Sequence, residues 1–230
     1  MYKNIKVIAF DADDTLWVNE TYFREAEHLF AKLLANYETE NKIDQELFKK
    51  EIENLQYYGY GIKGFVLSMV ESALEISNYQ IPQQKIAKIL NIGKEMLEKP
   101  IELLPDIEHV LEFLQRNYKL IVATKGDLLD QERKLEKSGL LKYFHHIEVM
   151  SDKKPKDYLK LIQHLDIYPE ELLMIGNSLK SDILPLVEVG AMAIHVPFHT
   201  TWVHEEVTEE EKSTTHYKTV LNIKEVLTLF

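Results

Sequence analysis

The chain has 230 residues, 45% of them hydrophobic, with no cysteine and a formal net charge of −11. That length and apolar content suffice for one well-buried core and a smaller second unit, and the absence of cysteine excludes disulfides, thiolate metal sites and a cysteine nucleophile, so a reducing cytoplasm is the expected compartment. The acidic balance argues against nucleic acid as a partner, and no apolar stretch approaches the roughly 18 residues of a membrane span, so a soluble, unprocessed protein is expected.

The first predicted element is a strand. Val7-Ile8-Ala9-Phe10 is a continuous apolar run with β-branched members, the pattern of a strand buried on both faces of a parallel sheet. It runs into Asp11-Ala12-Asp13-Asp14-Thr15. Alternation along a strand places Asp11 and Asp13 on one side of its carboxyl end, the edge where open α/β sheets bind ligands. Two ionised carboxylates held close together repel, and they persist with a cation between them or with one of them protonated. A Mg²⁺ site beside an acid/base carboxylate meets both conditions, whereas a solvated turn is the plainer reading of an isolated Asp-x-Asp.

From Thr21 to about Lys99 the pattern is helical throughout. Phe23, Ala26, Leu29, Phe30, Leu33 and Leu34 recur at steps of three and four, and Leu47, Ile52 and Leu55 continue in a second helix. A third helix is predicted over Ile62–Ile76 and a fourth from Pro82, a helix-starting proline, to Leu97. Beyond Pro100 and Pro105 strands and helices alternate. The expected helices are Asp106–Asn117, Leu128–Ser138, Pro155–Leu165 and Asp182–Val189. The expected strands are Lys119–Ala123, His146–Met150, Leu172–Ile175 and Met192–Val196. Tyr217–Val220 reads as a last edge strand and Ile223–Leu229 as a closing helix. Such alternation implies parallel pairing and right-handed crossovers, hence an α/β fold with a doubly wound sheet. The helical block is then an insertion that leaves and returns beside Asp11 and Asp13, where a lid would be hinged.

Three later strands also end in polar residues. Ile121-Val122-Ala123 leads to Thr124-Lys125-Gly126, a hydroxyl and backbone N–H groups where a phosphate could sit at a helix start. Glu148-Val149-Met150 leads to Ser151-Asp152-Lys153-Lys154-Pro155, and Leu173-Met174-Ile175 leads to Gly176-Asn177-Ser178 and then Asp182. Each is ordinary alone, as a helix cap or a solvated turn. Their joint appearance at successive strand ends, in the order Asp-x-Asp, Thr, Lys, Asp, is not.

In these residues the chain resembles the haloacid dehalogenase-like hydrolases over its whole length. The first family motif is similar to Asp11-Ala12-Asp13-Asp14-Thr15, the second to Thr124, the third to the Lys153-Lys154 pair and the fourth to Gly176-Asn177-Ser178 through Asp182. The resemblance implies a doubly wound, mostly parallel Rossmann-like core formed by residues 1–17 and 102–230, with an inserted all-α cap at 18–101. It further implies a phosphatase acting on a small phosphorylated metabolite. Asp11 would be the nucleophile, forming an aspartyl-phosphate, and Asp13 the acid/base that protonates the leaving oxygen and then deprotonates water. Family members that attack carbon lack Asp at the position of Asp13, so the resemblance points to phosphoryl transfer. Thr124 and the N–H groups after it, with Lys125 and Gly126, would hold the phosphate, and a lysine would neutralise it. Mg²⁺ would be held by Asp11, the backbone carbonyl of Asp13 and Asp182. Asn177 stands where the motif often has Asp and can still offer an oxygen. Lys153 is preferred over Lys154 as the catalytic lysine by counting back from Pro155, while Lys-Pro pairing favours Lys154.

Substrate choice would reside in the insertion. Tyr57-Tyr58-Gly59-Tyr60-Gly61-Ile62-Lys63-Gly64-Phe65 reads either as a specificity loop presenting Tyr60 and Lys63 to the leaving group or as aromatic packing within a helical bundle. Trp17 and Asn19 are expected to line the hinge and entry, although packing alone would explain Trp17. His195, His199 and His204 match no common zinc spacing, and the acidic run Glu205–Glu211 reads as a solvated face. A phosphomutase, or a non-catalytic phosphate-binding protein, would share these motifs, and either a monomer or a homodimer is compatible with them.

Overall fold

In the computed structural model, which describes residues 2, 4–213 and 217–230, the apolar runs form a parallel sheet. In chain order β1 (Val7–Phe10) precedes four helices, α1 (Glu20–Leu34), α2 (Glu40–Tyr58), α3 (Ile62–Ile76) and α4 (Gln83–Glu98). Then follow α5 (Ile107–Leu114), β2 (Lys119–Lys125), α6 (Leu128–Lys137), β3 (Ile147–Met150), α7 (Pro155–His164), β4 (Leu172–Gly176), α8 (Leu184–Glu188), β5 (Met192–His195) and β6 (Lys218–Thr219). Among the described residues these six strands make one sheet in the order β3-β2-β1-β4-β5-β6, each neighbouring pair parallel. The order reverses between β1 and β4, which opens a crevice at their carboxyl ends.

The strands are continuously apolar because both faces are covered. Ile8, Phe10, Leu120, Val122, Leu173 and Ile175 point to one side and pack with Ile107, Val110, Leu111 and Leu114 of α5. Val7, Ala9, Ile121, Ala123, Leu172 and Met174 point to the other and pack with Tyr158, Leu161 and Ile162 of α7. Each fully buried Leu, Ile or Phe of this kind contributes about 1.5–3 kcal/mol.

The chain divides into two compact units, one of residues 1–20, 101–125 and 131–230, the other of residues 21–100 and 126–130. The second is built on α1 to α4, with Ala26, Phe30, Leu34, Ile43, Leu47, Phe65, Met69, Ala73, Ile89, Ile92 and Met96 buried together. The helix spacing read from the sequence was right here, and α3 and α4 pack so closely that a Cβ on Gly93 would lie 2.2 Å from Val66.

Two elements differ from expectation. Residues 182–189 are not one helix: a wide π-turn covers Leu179–Ile183, and only Leu184–Glu188 is α-helical. Pro185 has no N–H to return to the Ser181 carbonyl, and the Tyr158 hydroxyl donates to that carbonyl instead at 2.9 Å. The closing segment Ile223–Leu229 is a 3₁₀-helix rather than an α-helix.

Candidate active site

The four strand ends of the first unit bring their polar residues to the crevice side of the sheet. β1 ends at Phe10, and the Asp11 N–H still bonds to the Ile175 carbonyl at 2.9 Å, which fixes Asp11 beside β4. The chain then turns sharply: Leu16 N–H donates to the Ala12 carbonyl at 2.8 Å and Asp14 adopts a φ of +61°. The Asp14 carboxylate accepts the N–H groups of Asn19 and Glu20, which starts α1. Because the strand has ended, Asp11 and Asp13 take different partners rather than sharing one set.

Asp11 is buried. Lys153 lies 2.5 Å from its Oδ1 and 2.6 Å from Asp182 Oδ1, and the Thr15 hydroxyl donates to its Oδ2 at 3.2 Å. Asp182 is held in turn by the Ser178 N–H at 2.9 Å, packed so tightly against Gly176 that a Cβ there would lie 2.3 Å from its Oδ2. One ammonium between two buried carboxylates leaves an excess of negative charge. Burial and the neighbouring Asp182 push the Asp11 carboxyl up to about 7 against the pull of Lys153. Burial also works against the charge on Lys153, but Asp11 and Asp182 outweigh it and hold its pKa well above the ordinary lysine value.

The arrangement fits a divalent cation. One atom of the Asn177 amide lies 3.2 Å from the Asp11 Oδ2, the Asp13 backbone carbonyl and the Thr15 hydroxyl. With its nitrogen turned inward the amide donates to these oxygens. With its oxygen turned inward, Asn177 places that oxygen 3.2 Å from the Asp11 and Asp13 oxygens, close to the roughly 3 Å edge of an octahedron with ligands at 2.0–2.1 Å. No group of three His, Cys, Asp or Glu side chains among the described residues is spaced for a metal. This convergence instead uses one carboxylate, one amide and one backbone carbonyl. Asp182 is placed differently from the sequence expectation, since both its carboxylate oxygens are taken by Lys153 and Ser178.

Asp13 has three donors. Trp17 Nε1 and Lys134 Nζ lie 2.8 and 2.6 Å from its Oδ1, and Gln131 Nε2 lies 2.8 Å from its Oδ2. Burial would raise its pKa, but Lys134, Gln131 and Trp17 outweigh burial and hold it below the ordinary range.

Thr124 is buried at the end of β2, and Gly126, two residues on, has a φ of +125° that a side chain would strain. Lys125 between them does not point away into solvent. Its ammonium lies 2.6 Å from Glu205 and 2.8 Å from the Ser181 hydroxyl, while Ser178 and Ser181 both donate to Glu205 Oε2. Burial would raise the Glu205 pKa, yet Lys125 and the two serines bring it down to about 2.

Three expectations are corrected, those for Lys154, Trp17 and Glu205. Lys154 is no part of the cluster: its side chain is 64% exposed and pairs with Asp152 at 2.8 Å, because it caps α7 one residue beyond the strand-end turn. Trp17 lines no entry, being fully buried with its indole N–H on Asp13. Lys63, in the second unit, is paired with Asp127 at 2.8 Å, and Tyr60 beside it is half-buried. Glu205, read as part of a solvated acidic face, is largely buried because Lys125 and two serines supply its donors. Gln131, Lys134 and Ser181 were missed altogether, and Ser178 was read only as part of the fourth motif. The one signal was the spacing of Gln131 and Lys134, which puts them on one face of α6.

Comparison with known proteins gives the same picture. The family profile of haloacid dehalogenase-like hydrolases matches residues 5–190. A crystal structure of a haloacid dehalogenase-like family hydrolase from Xanthomonas campestris is 34% identical, with a TM-score of 0.88 over 98% of this chain and 90% of that one. Two curated relatives are more distant. Glyceraldehyde 3-phosphate phosphatase from Methanopyrus kandleri is 24% identical over 84% of each chain. N-acylneuraminate-9-phosphatase from Rattus norvegicus is 24% identical over 87% of this chain and 83% of its own. With the profile spanning most of the sequence and a solved member matching nearly all of it, the chain belongs to the haloacid dehalogenase-like hydrolases.

Proposed function

We propose that the protein is a Mg²⁺-dependent phosphoric monoester hydrolase that acts on a small phosphorylated metabolite through an aspartyl-phosphate on Asp11. The observation that carries this reading is the division of labour between the two aspartates: Asp11 is buried against Lys153, and Asp13 is held apart by Lys134, Gln131 and Trp17. The names of the two curated relatives, both phosphatases of small phosphorylated compounds, support it.

In the first step an Asp11 carboxylate oxygen bonds to phosphorus while the bond from phosphorus to the ester oxygen breaks. The departing alkoxide takes a proton from Asp13. In the second, Asp13 removes a proton from water as that water attacks phosphorus, and phosphate leaves with Asp11 restored. Asp13 is ionised at rest, and the negative charge of an incoming phosphate raises its proton affinity, so that it takes from solvent, as substrate binds, the proton it then gives to the alkoxide. The Thr124 hydroxyl and the N–H groups of the turn after it donate to the non-bridging oxygens, and Lys153 offsets their charge. Mg²⁺, held by Asp11, Asn177 and the carbonyl of Asp13, would supply charge neutralisation at the phosphate, with Asp182 orienting Lys153.

A panel of phosphorylated metabolites tests this, scored for free phosphate and for transfer to a second substrate. The expected result is release of free phosphate with Mg²⁺ and its loss in chelator. No Mg²⁺-dependent release from any member, or transfer without release, would overturn it.

A further inference from the structure

We infer that Lys134 is a positioning residue for proton transfer, acting through Asp13. The inference rests on the proposed role of Asp13. A short side chain with two rotatable bonds has to be held for its proton to reach the leaving oxygen, and an error of about 1 Å can cost 10²-fold in rate. Here every rotation of the Asp13 carboxylate is blocked by a donor that is itself anchored. Trp17 is fully buried and donates to Oδ1 from the turn that carries Asp13. Lys134 lies 2.6 Å from the same oxygen and 3.2 Å from the Asn19 side-chain oxygen, so its ammonium is gripped from both sides. Gln131, one turn earlier on α6, donates to Oδ2 at 2.8 Å and to the Lys125 carbonyl at 2.9 Å. Its own Oε1 is buried with no hydrogen-bond partner, so the amide is oriented by the bond to Asp13 and not by full satisfaction of its polar atoms.

A surface ion pair would look different. Lys134 is 12% exposed, whereas Lys154 pairs with Asp152 at 64% exposure. Lys134 is also separate from the ammonium that meets Asp11 and Asp182, which is Lys153. The protein thus spends two lysines on two aspartates: one faces the attacking oxygen, and the other fixes the group that moves the proton. Lys134 touches neither phosphorus nor the leaving group in this scheme. Its effect is confined to reactions in which the leaving oxygen needs a proton.

That confinement is the test. Values of kcat/KM, which report the first phosphoryl transfer, are measured for wild type, Lys134→Met, Lys134→Arg, Gln131→Met and Asp13→Asn. The substrates are glycerol phosphate, whose alkoxide needs a proton, and p-nitrophenyl phosphate, whose nitrophenolate leaves without one. Lys134→Met is expected to lose about 10²-fold on the alkyl ester and less than about threefold on the aryl ester, with Lys134→Arg recovering most of the loss. Equal losses on both esters, or none on the alkyl ester, would overturn the inference. If Lys134→Met does not fold, Gln131→Met decides, with the same selective loss expected at about tenfold. Asp13→Asn separates the two readings: if it too loses both esters equally, the proton-transfer role of Asp13 fails, and with it the proposed mechanism.

Discussion

The two units use charge in opposite ways. In the first, ammonium and carboxylate groups are drawn inside: Lys153 with Asp11 and Asp182, Lys125 with Glu205, Lys134 with Asp13. In the helical unit the buried side chains are mostly apolar, with polar ones such as Asn54 and Ser68 bonded to each other, and ion pairs such as Lys42 with Glu38 or Lys99 with Glu25 lie at the surface. Surface pairs contribute little to stability and need no further reason to exist. Withdrawn pairs carry a desolvation cost that often equals their attraction, so four of them around one sheet edge, the two made by Lys153 fully buried, need an explanation beyond folding. Phosphoryl transfer provides it, since charge held rigidly in a dry site acts on a transition state without having to reorganise.

The comparison can be broken in stages. The largest effect is expected for Asp11→Asn, which keeps the shape and removes the nucleophile. Turnover should fall by at least about 10³-fold with circular dichroism unchanged. Retained activity would mean that the charge buried at β1 serves folding alone. Next come the two neighbouring lysines: Lys153→Met should lose about 10³-fold in kcat/KM, and Lys154→Ala less than about twofold. A loss only in the Lys154 variant would invert the assignment.

A smaller effect, on stability, is expected at Glu205. Exchange for Gln removes the carboxylate beside buried Lys125 and should cost about 3 kcal/mol in denaturant unfolding at neutral pH. The pH dependence has a definite sign. With the Glu205 pKa lowered from 4.5 to about 2 in the folded state, its contribution is fully present above pH 4.5. It is lost as pH falls from there toward 2, so wild type and Glu205→Gln should converge in stability over that window. Parallel curves would show that the pair is not what Glu205 supplies. The smallest effect belongs to the helical unit, where Lys42→Ala is expected to leave the unfolding midpoint where it was.

The same contrast explains what could be read in the sequence. The strands, the helical insertion and the residues Asp11, Thr124, Lys153 and Asn177 were legible because each sits at the end of an apolar run, where local pattern and position in the fold coincide. Lys134, Gln131 and Glu205 were not. Their partners lie 121, 118 and 80 residues away in the chain, and an acidic residue within a run of acids looks solvated until a distant lysine is seen to meet it. Lys153 and Lys154 differ by one position, yet a turn sends one inward and the other to the helix cap. At the π-turn Leu179–Ile183 the Ser181 carbonyl takes its bond from the Tyr158 hydroxyl, a tertiary contact that no local spacing announces.

A covalent phosphoryl group on Asp11 is reached most directly by a single burst experiment. Asp13→Asn mixed with p-nitrophenyl phosphate and Mg²⁺ can still expel nitrophenolate but lacks the base for hydrolysis. The expected result is a burst close to one nitrophenolate per protein, followed by slow turnover, with phosphate recovered on the peptide that contains Asp11. A steady rate with no burst and no bound phosphate, or phosphate on any other peptide, would contradict it.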